Sequence, residues 1–270
     1  MRFPPTPANR TVFGLLLLLA ALSSAEDEIP ARSLRVEEVL PHDPSAFTQC
    51  LMADPAGGTA LLEGTGLYGA SELRRVRPAT GEPIRRVALP DELFGEGCAL
   101  AGGALVQLTW REGTILLRDP ATLAERSRLP WPREGWGAAG FGDTLWISDG
   151  SDTLHKVLLP SGRELGGLAV RAGGRPVARL NELAEAGRFL VANVWQSDSL
   201  AVIDRATGRV VEWWNAAPLR EAIPKERRGR MEVLNGVADA GDGSWYLTGK
   251  YWPALYRAVP EGSALSKRRK

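Results

Sequence analysis

A turn that recurs at nearly constant spacing is the feature that most restricts how this chain can fold. Four segments share a short polar turn built from Pro, Ala, Ser or Thr, and three of them close on Gly: residues 77–81, 118–122, 159–162 and 204–208. Their hydroxyl residues Thr80, Thr122, Ser161 and Thr207 stand 42, 39 and 46 positions apart. A period near 40 with several short strands is typical of the four-stranded blade of a β-propeller.

Short apolar segments between these turns predict strands at residues 60–62, 105–108, 144–147, 189–192 and 245–248. The last repeat, residues 233–259, holds only three predicted strands, and residues 34–39 alternate apolar with polar before the first repeat begins. We therefore predict an all-β protein, a five-bladed β-propeller whose ring is closed by pairing of the N- and C-terminal strands. A β-sandwich is the alternative, but it does not predict equivalent turns at a fixed period.

The two ends of the chain are predicted to lie outside the propeller. Arg2 and Arg10 accompany an apolar run at residues 12–22, and small residues follow at 23–25, which is the pattern of a secretory signal too short to span a bilayer. An uncleaved anchor is the alternative. We predict a signal peptide at 1–25, a linker at 26–33, one catalytic propeller domain at 34–259 and a basic tail at 260–270. The mature protein is then expected to be a secreted or periplasmic monomer that is not attached to a membrane.

Composition excludes two classes of function. The chain has 33 basic and 32 acidic residues, a formal net charge of +1, so bulk charge does not favour nucleic acid as a partner. Two histidines and two cysteines cannot furnish a three-His or a four-Cys zinc site. We predict no metal and no cofactor.

One rim of the predicted ring collects aromatic and polar side chains. The inner strands are expected to begin at residues 47–50, 94–97, 135–137, 180–182 and 234–236, and the chain returns to that rim at 65–68, 109–110, 148–150, 193–195 and 248–252. The rim thus gathers Phe47, Phe94, Trp110, Trp136, Trp195 and Trp252 around Gln49, Glu96, Asn181 and Lys250. An aromatic bowl with a few convergent polar groups is the usual form of a small-molecule site.

Nine motifs in order carry a family resemblance. They are Phe-Thr-Gln at 47–49, Thr-Gly-Leu-Tyr-Gly at 65–69, Phe-Gly-Glu-Gly at 94–97, Gln-Leu-Thr-Trp at 107–110, Gly-Trp-Gly at 135–137, Trp-Ile-Ser-Asp-Gly-Ser at 146–151, Leu-Asn-Glu-Leu at 180–183, Ala-Asn-Val-Trp at 192–195 and Thr-Gly-Lys-Tyr-Trp-Pro at 248–253. The series resembles the plant and bacterial type of glutaminyl-peptide cyclotransferase, a five-bladed propeller unrelated to the zinc-dependent animal enzyme. The resemblance spans roughly residues 41–259. It implies that N-terminal glutamine of peptides and proteins is converted to pyroglutamate with release of ammonia.

This reaction needs a proton to pass from the attacking amine to the leaving amide nitrogen, and one carboxylate near both nitrogens can carry it. Glu96, between two glycines, is our candidate, although it could instead be a turn carboxylate paired with Lys250. Donors for the developing negative oxygen are Asn181, Gln49, Lys250 and the indole N–H of Trp110 or Trp136. The family motifs imply that Gln49, Asn181 and Lys250 act beside Glu96, and that the substrate is bound by Phe47, Phe94, Trp110, Trp136 and Trp195.

Two cysteines depart from the family pattern, which usually has glycine in place of Cys50 and an aliphatic residue in place of Cys98. Aligning the inner strands puts them one position apart on neighbouring strands. Because an exported protein meets oxidising conditions, we expect a disulfide; two buried thiols are the alternative.

Two other functions stay open from the residues alone. A propeller that only binds peptides or partners would share the blades and the bowl. A calcium-dependent lactonase-like hydrolase would need oxygen ligands on the axis, which Glu96, Asn181 and Asn235 could partly imitate.

Overall fold

The computed structural model describes residues 28–266, and most of their regular structure is β-strand. The first four-stranded sheet is β2 (Thr48–Ala53), β3 (Leu61–Thr65), β4 (Glu72–Arg77) and β5 (Glu82–Ala88). The second is β6 (Gly95–Ala101), β7 (Ala104–Thr109), β8 (Thr114–Arg118) and β9 (Glu125–Pro130). The third is β10 (Ala138–Phe141), β11 (Thr144–Ile147), β12 (Thr153–Leu158) and β13 (Arg163–Ala169). Each is an antiparallel meander.

A larger sheet joins the end of the chain to its beginning. Its eight strands run in the order β16-β17-β18-β19-β1-β22-β21-β20. They are β1 (Ala31–Pro41), β16 (Leu180–Ala186), β17 (Phe189–Val194), β18 (Ser199–Asp204), β19 (Val210–Asn215), β20 (Leu234–Asp239), β21 (Trp245–Gly249) and β22 (Ala254–Pro260). A two-stranded hairpin is formed by β14 (Arg171–Ala172) and β15 (Arg175–Pro176). The helices of the described chain are α1 (Ala217–Glu221) and 3-10 turns at Lys225–Arg227 and Ala264–Ser266.

The four predicted turns are confirmed, and each connects the third strand of a meander to the fourth. In two of them an aspartate holds the turn: Asp119 Oδ1 accepts the N–H of Thr122 at 2.7 Å, and Asp204 Oδ1 accepts that of Ala206 at 2.9 Å. The glycines that close the turns at 77–81 and 204–208, Gly81 and Gly208, adopt φ values of 70° and 73°, which disfavour residues with a Cβ. The repeating sequence therefore encodes a repeating turn.

The first strands of the meanders pack against one another in a closed cycle. β2 contacts β6, β6 contacts β10, β10 contacts β16, β16 contacts β20, and β20 contacts β2. The all-β, multi-sheet fold is as predicted, and this cycle is what blades around one axis would produce. Because β1 merges the last two meanders into one sheet, the count of five blades stays an interpretation.

Strand β1 closes the ring, as predicted. Its residues Leu34–Pro41 pair antiparallel with Ala254–Pro260 of β22. Ala31–Ser33 also pair in parallel with Trp213–Asn215 of β19, so the prediction of a linker at 26–33 is wrong for these three residues. The predicted tail likewise begins too early, since Pro260 ends β22 and Ser263 is buried against Glu212. The signal at 1–25 and residues 267–270 lie outside the described residues.

Cys50 of β2 and Cys98 of β6 form a disulfide, with Cα atoms 5.5 Å apart. Both residues are almost fully buried. The bond crosses between two adjacent sheets, because β2 and β6 are neighbours in the cycle of first strands.

Candidate active site

A cavity of about 470 Å³ opens at one end of the ring. Its lining residues are Phe47, Gln49, Phe94, Glu96, Trp110, Arg111, Glu134, Trp136, Asn181, Trp195 and Lys250. The structure therefore brings together the nine residues predicted to act on substrate, and it adds Arg111 and Glu134. A second cavity, of about 280 Å³, lies along the other half of the first strands and is lined mainly by small and aliphatic residues of β2, β6, β10, β16 and β20. The aromatic cavity is the candidate site because it combines apolar walls with convergent polar groups.

The polar groups come from equivalent positions of different strands. Gln49, Glu96, Asn181 and Asn235 are each the second residue of a first strand, in β2, β6, β16 and β20. In all four strands the register with the following strand shifts at this point, which marks a β-bulge or a similar irregularity. A bulge interrupts the alternation of side chains and re-aims one of them. The site is thus assembled by one local device that the chain repeats four times.

The glycines beside Glu96 serve packing between sheets. A Cβ on Gly97 would lie 2.6 Å from the backbone nitrogen of Ala138, and one on Gly95 would lie 2.9 Å from the carbonyl oxygen of Thr65. Both distances are shorter than real Cβ contacts. Glycine on each side of Glu96 therefore lets β6 approach its neighbours closely.

A chain of hydrogen bonds orients the Glu96 carboxyl group. Asn235 Nδ2 donates to the carbonyl oxygen of Thr48 at 3.0 Å and to Gln49 Oε1 at 3.1 Å. This leaves Gln49 Nε2 to donate to Glu96 Oε1 at 2.9 Å. From the sequence, Asn235 is predicted only as a possible calcium ligand. Its contacts in the structure instead fix the orientation of the Gln49 side-chain amide.

Burial raises the pKa of the Glu96 carboxyl well above its ordinary value. The charge of Lys250 opposes this shift, and the negative charges of Glu112 and Glu134 add to it. The carboxyl group is only 5% exposed, and its hydrogen-bond partner is Gln49. Burial of Glu96 therefore favours the protonated form of its carboxyl group.

Lys250 also lines the cavity and is only 6% exposed, with Nζ 4.3 Å from the centre of the Phe47 ring. Burial lowers the pKa of this ammonium group, while the charges of Glu96 and Glu232 oppose the change. Its aromatic neighbour offers a cation–π contact in place of water.

Aromatic rings form the remaining walls in two edge-to-face pairs, Phe47 with Phe94 and Trp136 with Trp195, and one tilted pair, Phe94 with Trp110. Phe94 stands 6.0 Å from Phe47 and 5.4 Å from Trp110, measured between ring centres, and Trp136 stands 5.7 Å from Trp195. Such pairs are the geometry that aromatic quadrupoles favour. The rings therefore support one another and form an apolar wall beside the polar groups.

Trp252, predicted at the same rim, does not line the cavity. It is fully buried, and its indole N–H donates to the carbonyl oxygen of Glu232 at 3.1 Å. A Cβ on Gly249 would lie 2.2 Å from the indole nitrogen, so the turn after Lys250 folds this ring back over β21. The prediction for Trp252 is wrong because the turn reverses the direction of its side chain.

Glu134 was missed by the sequence reasoning. Its Oε2 accepts the indole N–H groups of Trp110 at 2.8 Å and Trp136 at 2.9 Å. Both indole groups, predicted as donors to substrate, are therefore already occupied. One feature of the sequence could have indicated a role for Glu134, namely its position directly before the Gly-Trp-Gly motif.

No helix between residues 28 and 266 is long and apolar enough to cross a membrane. Within the same range, no three His, Cys, Asp or Glu side chains are grouped so that they could hold a metal ion.

The fold and the cavity define a class, that of a multi-sheet, all-β protein with a buried acid in an aromatic bowl. The comparisons with known proteins are more specific. Residues 11–259 match the family model described as glutamine cyclotransferase. The chain belongs to this family.

The chain is similar to two glutaminyl cyclases, one in sequence and one in structure. It is 36% identical over 232 residues to a glutaminyl-peptide cyclotransferase of Arabidopsis thaliana, across 83% of this chain and 72% of the relative. The crystal structure of Myxococcus xanthus glutaminyl cyclase superposes with a TM-score of 0.78 at 32% identity, covering 86% of this chain and 97% of that one.

Proposed function

We propose that the protein converts N-terminal glutamine of peptides and proteins to pyroglutamate in the aromatic cavity, and that Glu96 carries the proton. The activity follows from membership of the family. The observation that supports the role of Glu96 is a buried carboxyl group with a raised pKa, which lines the cavity and is held by Gln49.

Cyclisation joins the α-nitrogen of the substrate to its own side-chain amide carbon. The bond between that carbon and the amide nitrogen breaks, and ammonia leaves. The nucleophile is tethered to the electrophile, so the protein contributes orientation, proton transfer and stabilisation of charge. An unperturbed α-amine has a pKa of about 7.7–8.0, so a reactive neutral fraction exists near neutral pH.

The Gln49 contact indicates which oxygen of Glu96 holds the proton. Because Gln49 Nε2 donates to Oε1, this oxygen acts as acceptor, and we assign the proton of the acid form to Oε2. We propose that Glu96 gives this proton to the leaving amide nitrogen and takes one from the attacking amine. One proton crosses between the two nitrogens, and the enzyme ends the cycle unchanged.

The oxygen of the tetrahedral intermediate becomes negative and needs donors. Trp110 and Trp136 are committed to Glu134, so we assign this role to Asn181 and Lys250, which both line the cavity. These groups supply the charge stabilisation without a metal ion, and we propose a metal-independent reaction.

The test is turnover of a peptide that begins with glutamine, followed by ammonia release and by the mass of the product, with and without a chelator. We expect turnover in both conditions. The same peptide with an acetylated N-terminus is the matched control, because it lacks the nucleophile. Turnover abolished by chelator would contradict metal independence, and absence of turnover would leave a peptide-binding protein.

We also propose that the protein is exported and acts as a monomer. Support comes from the signal-like residues 1–25 and from the Cys50–Cys98 disulfide, since such bonds persist in oxidising compartments. Cell fractionation with N-terminal sequencing and sedimentation of the mature protein test both points. A cytosolic protein that retains Met1 would contradict export.

A further inference from the structure

The segment that carries Glu134 is fastened to the neighbouring turn of its sheet. The backbone N–H of Trp131 donates to the carbonyl oxygen of Gly113 at 2.8 Å, and that of Gly135 donates to the carbonyl oxygen of Trp110 at 3.0 Å. The indole N–H of Trp131 donates to the backbone oxygen of Glu134 at 3.1 Å. The backbone on both sides of Glu134 is therefore held by hydrogen bonds. This fixes the point from which the Glu134 side chain extends.

The carboxylate is shared by three donors. Oε2 accepts both cavity indoles, and Oε1 accepts Nε of Arg111 at 2.9 Å. The Arg111 guanidinium in turn stacks on the Trp110 ring, with its carbon 3.7 Å from the ring centre. Trp110 follows β7 and Trp136 precedes β10, so one carboxylate oxygen ties together walls from two adjacent sheets.

The ionised form of Glu134 accepts these three donors most strongly, because hydrogen bonds to a charged carboxylate are stronger than those to a neutral acid. Burial alone would raise the pKa of Glu134, but the hydrogen bonds from Trp136, Arg111 and Trp110 outweigh it and hold that pKa below its ordinary value. We call Glu134 with its three donors, Trp110, Trp136 and Arg111, the clamp. Because the pKa of Glu134 is lowered, its carboxylate is charged at neutral pH.

We propose that Glu134 is a positioning residue that sets the width of the substrate cavity by holding the Trp110 and Trp136 indoles at a fixed separation. This inference rests on the proposed function, since the width matters for a glutamine side chain placed near Glu96. Glu134 has a second effect through its charge, which favours the protonated form of Glu96. Glu134 contacts the Trp110 and Trp136 indoles, and it affects the reaction by positioning these rings.

Two variants separate the two effects. Glu134→Ala frees both indoles and should lower kcat/KM by about 10-fold to 100-fold, mostly through KM, because misplaced walls no longer orient the substrate. In Glu134→Gln the amide oxygen still accepts both indole N–H groups, so KM should stay within about threefold of the parent. Loss of the negative charge lowers the pKa of Glu96, so the pH profile of kcat/KM should move to lower pH in this variant.

Glu125→Ala is the matched control. Glu125 lies on β9 outside the cavity, and its carboxylate accepts two hydrogen bonds from Arg128, at 2.7 and 3.1 Å. It should leave KM and the pH profile unchanged. Thermal unfolding of all variants normalises activity to folded protein.

The proposal is overturned if Glu134→Ala keeps kcat/KM within about twofold of the parent, or if its loss disappears after normalisation to folded protein. A parent protein without turnover would refute the proposed function instead. In that case the clamp is tested by measuring binding of the glutamine peptide, with tryptophan fluorescence as the signal. Unchanged affinity and unchanged emission in Glu134→Ala would then refute the clamp.

Discussion

Glu96 and Glu134 line the same cavity, and their surroundings shift their pKa values in opposite directions. Burial raises the pKa of Glu96, whereas hydrogen bonds from Trp136, Arg111 and Trp110 lower that of Glu134. Neighbouring carboxyl groups whose environments push their pKa values apart can take different roles in one reaction. We assign proton transfer to the first and positioning of the walls to the second.

Glu96→Gln tests the first assignment. The amide keeps the shape of the side chain but cannot exchange a proton, so kcat should fall by about 10²–10⁴-fold while KM changes little. The measurement is steady-state turnover of the glutamine peptide, with unfolding temperature as the control for folding. Turnover within about threefold of the parent would assign the proton to another group.

A second buried acid, Glu182, makes stability depend on pH. It is fully buried, and its Oε1 accepts the backbone N–H of Leu51 at 2.9 Å. Burial raises the pKa of Glu182 well above its ordinary value, the Leu51 contact opposes the shift, and the charge of Glu96 adds to it. A raised pKa stabilises the fold below the unfolded pKa of about 4.3, and this contribution is lost as pH rises through the folded pKa.

Glu182→Gln should therefore change stability in a pH-dependent way. The amide is neutral at every pH, so the variant should match the parent at about pH 4 and exceed it by about 1 kcal/mol or more at about pH 8. Urea unfolding at both pH values measures the difference, and the exposed Glu92→Gln is the control. A difference that does not vary with pH would show that Glu182 is ionised in the fold.

Among elements, β2 and β6 carry the contact between Gln49 and Glu96 and are also joined by the disulfide. The bridged cysteines are 48 positions apart and follow the reactive pair by one and two residues. The covalent bond therefore fixes the spacing of two strands from adjacent sheets directly below the site.

Replacing both cysteines by alanine should lower the free energy of unfolding by about 2–4 kcal/mol, since a closed loop of this length is worth roughly 4 kcal/mol in the chain-entropy model. Turnover at low temperature should stay within about threefold, because the cycle of packed strands remains. Urea unfolding of the parent, of the reduced parent and of the variant measures the effect. Equal stability of oxidised parent and variant would contradict it.

At the scale of the whole molecule, stability depends on the seam where β1 meets β22. Pairing there removes strand edges that would otherwise recruit other chains. His42, directly after β1, binds the carbonyl oxygen of Trp252 through Nδ1 at 2.6 Å and Glu63 Oε1 through Nε2 at 2.9 Å. Both partners accept, so both ring nitrogens donate and the imidazole is charged.

Charges around the seam set its pH dependence. Burial alone would lower the pKa of His42, but the charge and hydrogen bond of Glu63 and the Trp252 carbonyl outweigh burial and the charge of Arg74, so the pKa is raised. Burial alone would raise the pKa of Glu63. The charges and hydrogen bonds around it, chiefly from His42 and Arg74, outweigh burial and lower this pKa to about 2. Arg74 also pairs with Asp43 and Glu72, which complete the cluster.

The stabilisation from His42 should be complete below pH 6.5, its ordinary pKa, and be lost as pH rises through its folded pKa. That from Glu63 is present above about 4.5 and is lost as pH falls toward 2. His42→Ala should lower the free energy of unfolding by about 3 kcal/mol at about pH 6, and by less at about pH 9. Urea unfolding across this range measures it, with the exposed Glu92→Gln again as control. A constant difference would mean that His42 is neutral in the fold.

Local features of the sequence were sufficient for the repeating parts of the molecule. The turns at 77–81 and 204–208 depend on residues within a few positions of one another, and alternation within short strands is equally local. Because the repeat applies the same local rules in each unit, aligning the units also predicted that Gln49, Glu96 and Asn181 share one rim. Closure by residues 34–39 followed from the missing fourth strand of the last repeat.

Only the tertiary structure decided how residues of different sheets meet. The clamp by Glu134, the inward fold of Trp252 and the bond between Cys50 and Cys98 depend on the distance between neighbouring sheets, which no single repeat contains. The protonation of Glu96 is of the same kind, because burial and the charges of Glu112 and Lys250 come from separate parts of the chain. Periodic patterns encode strands and turns locally, whereas burial and electrostatics sum over residues that only the closed ring brings together.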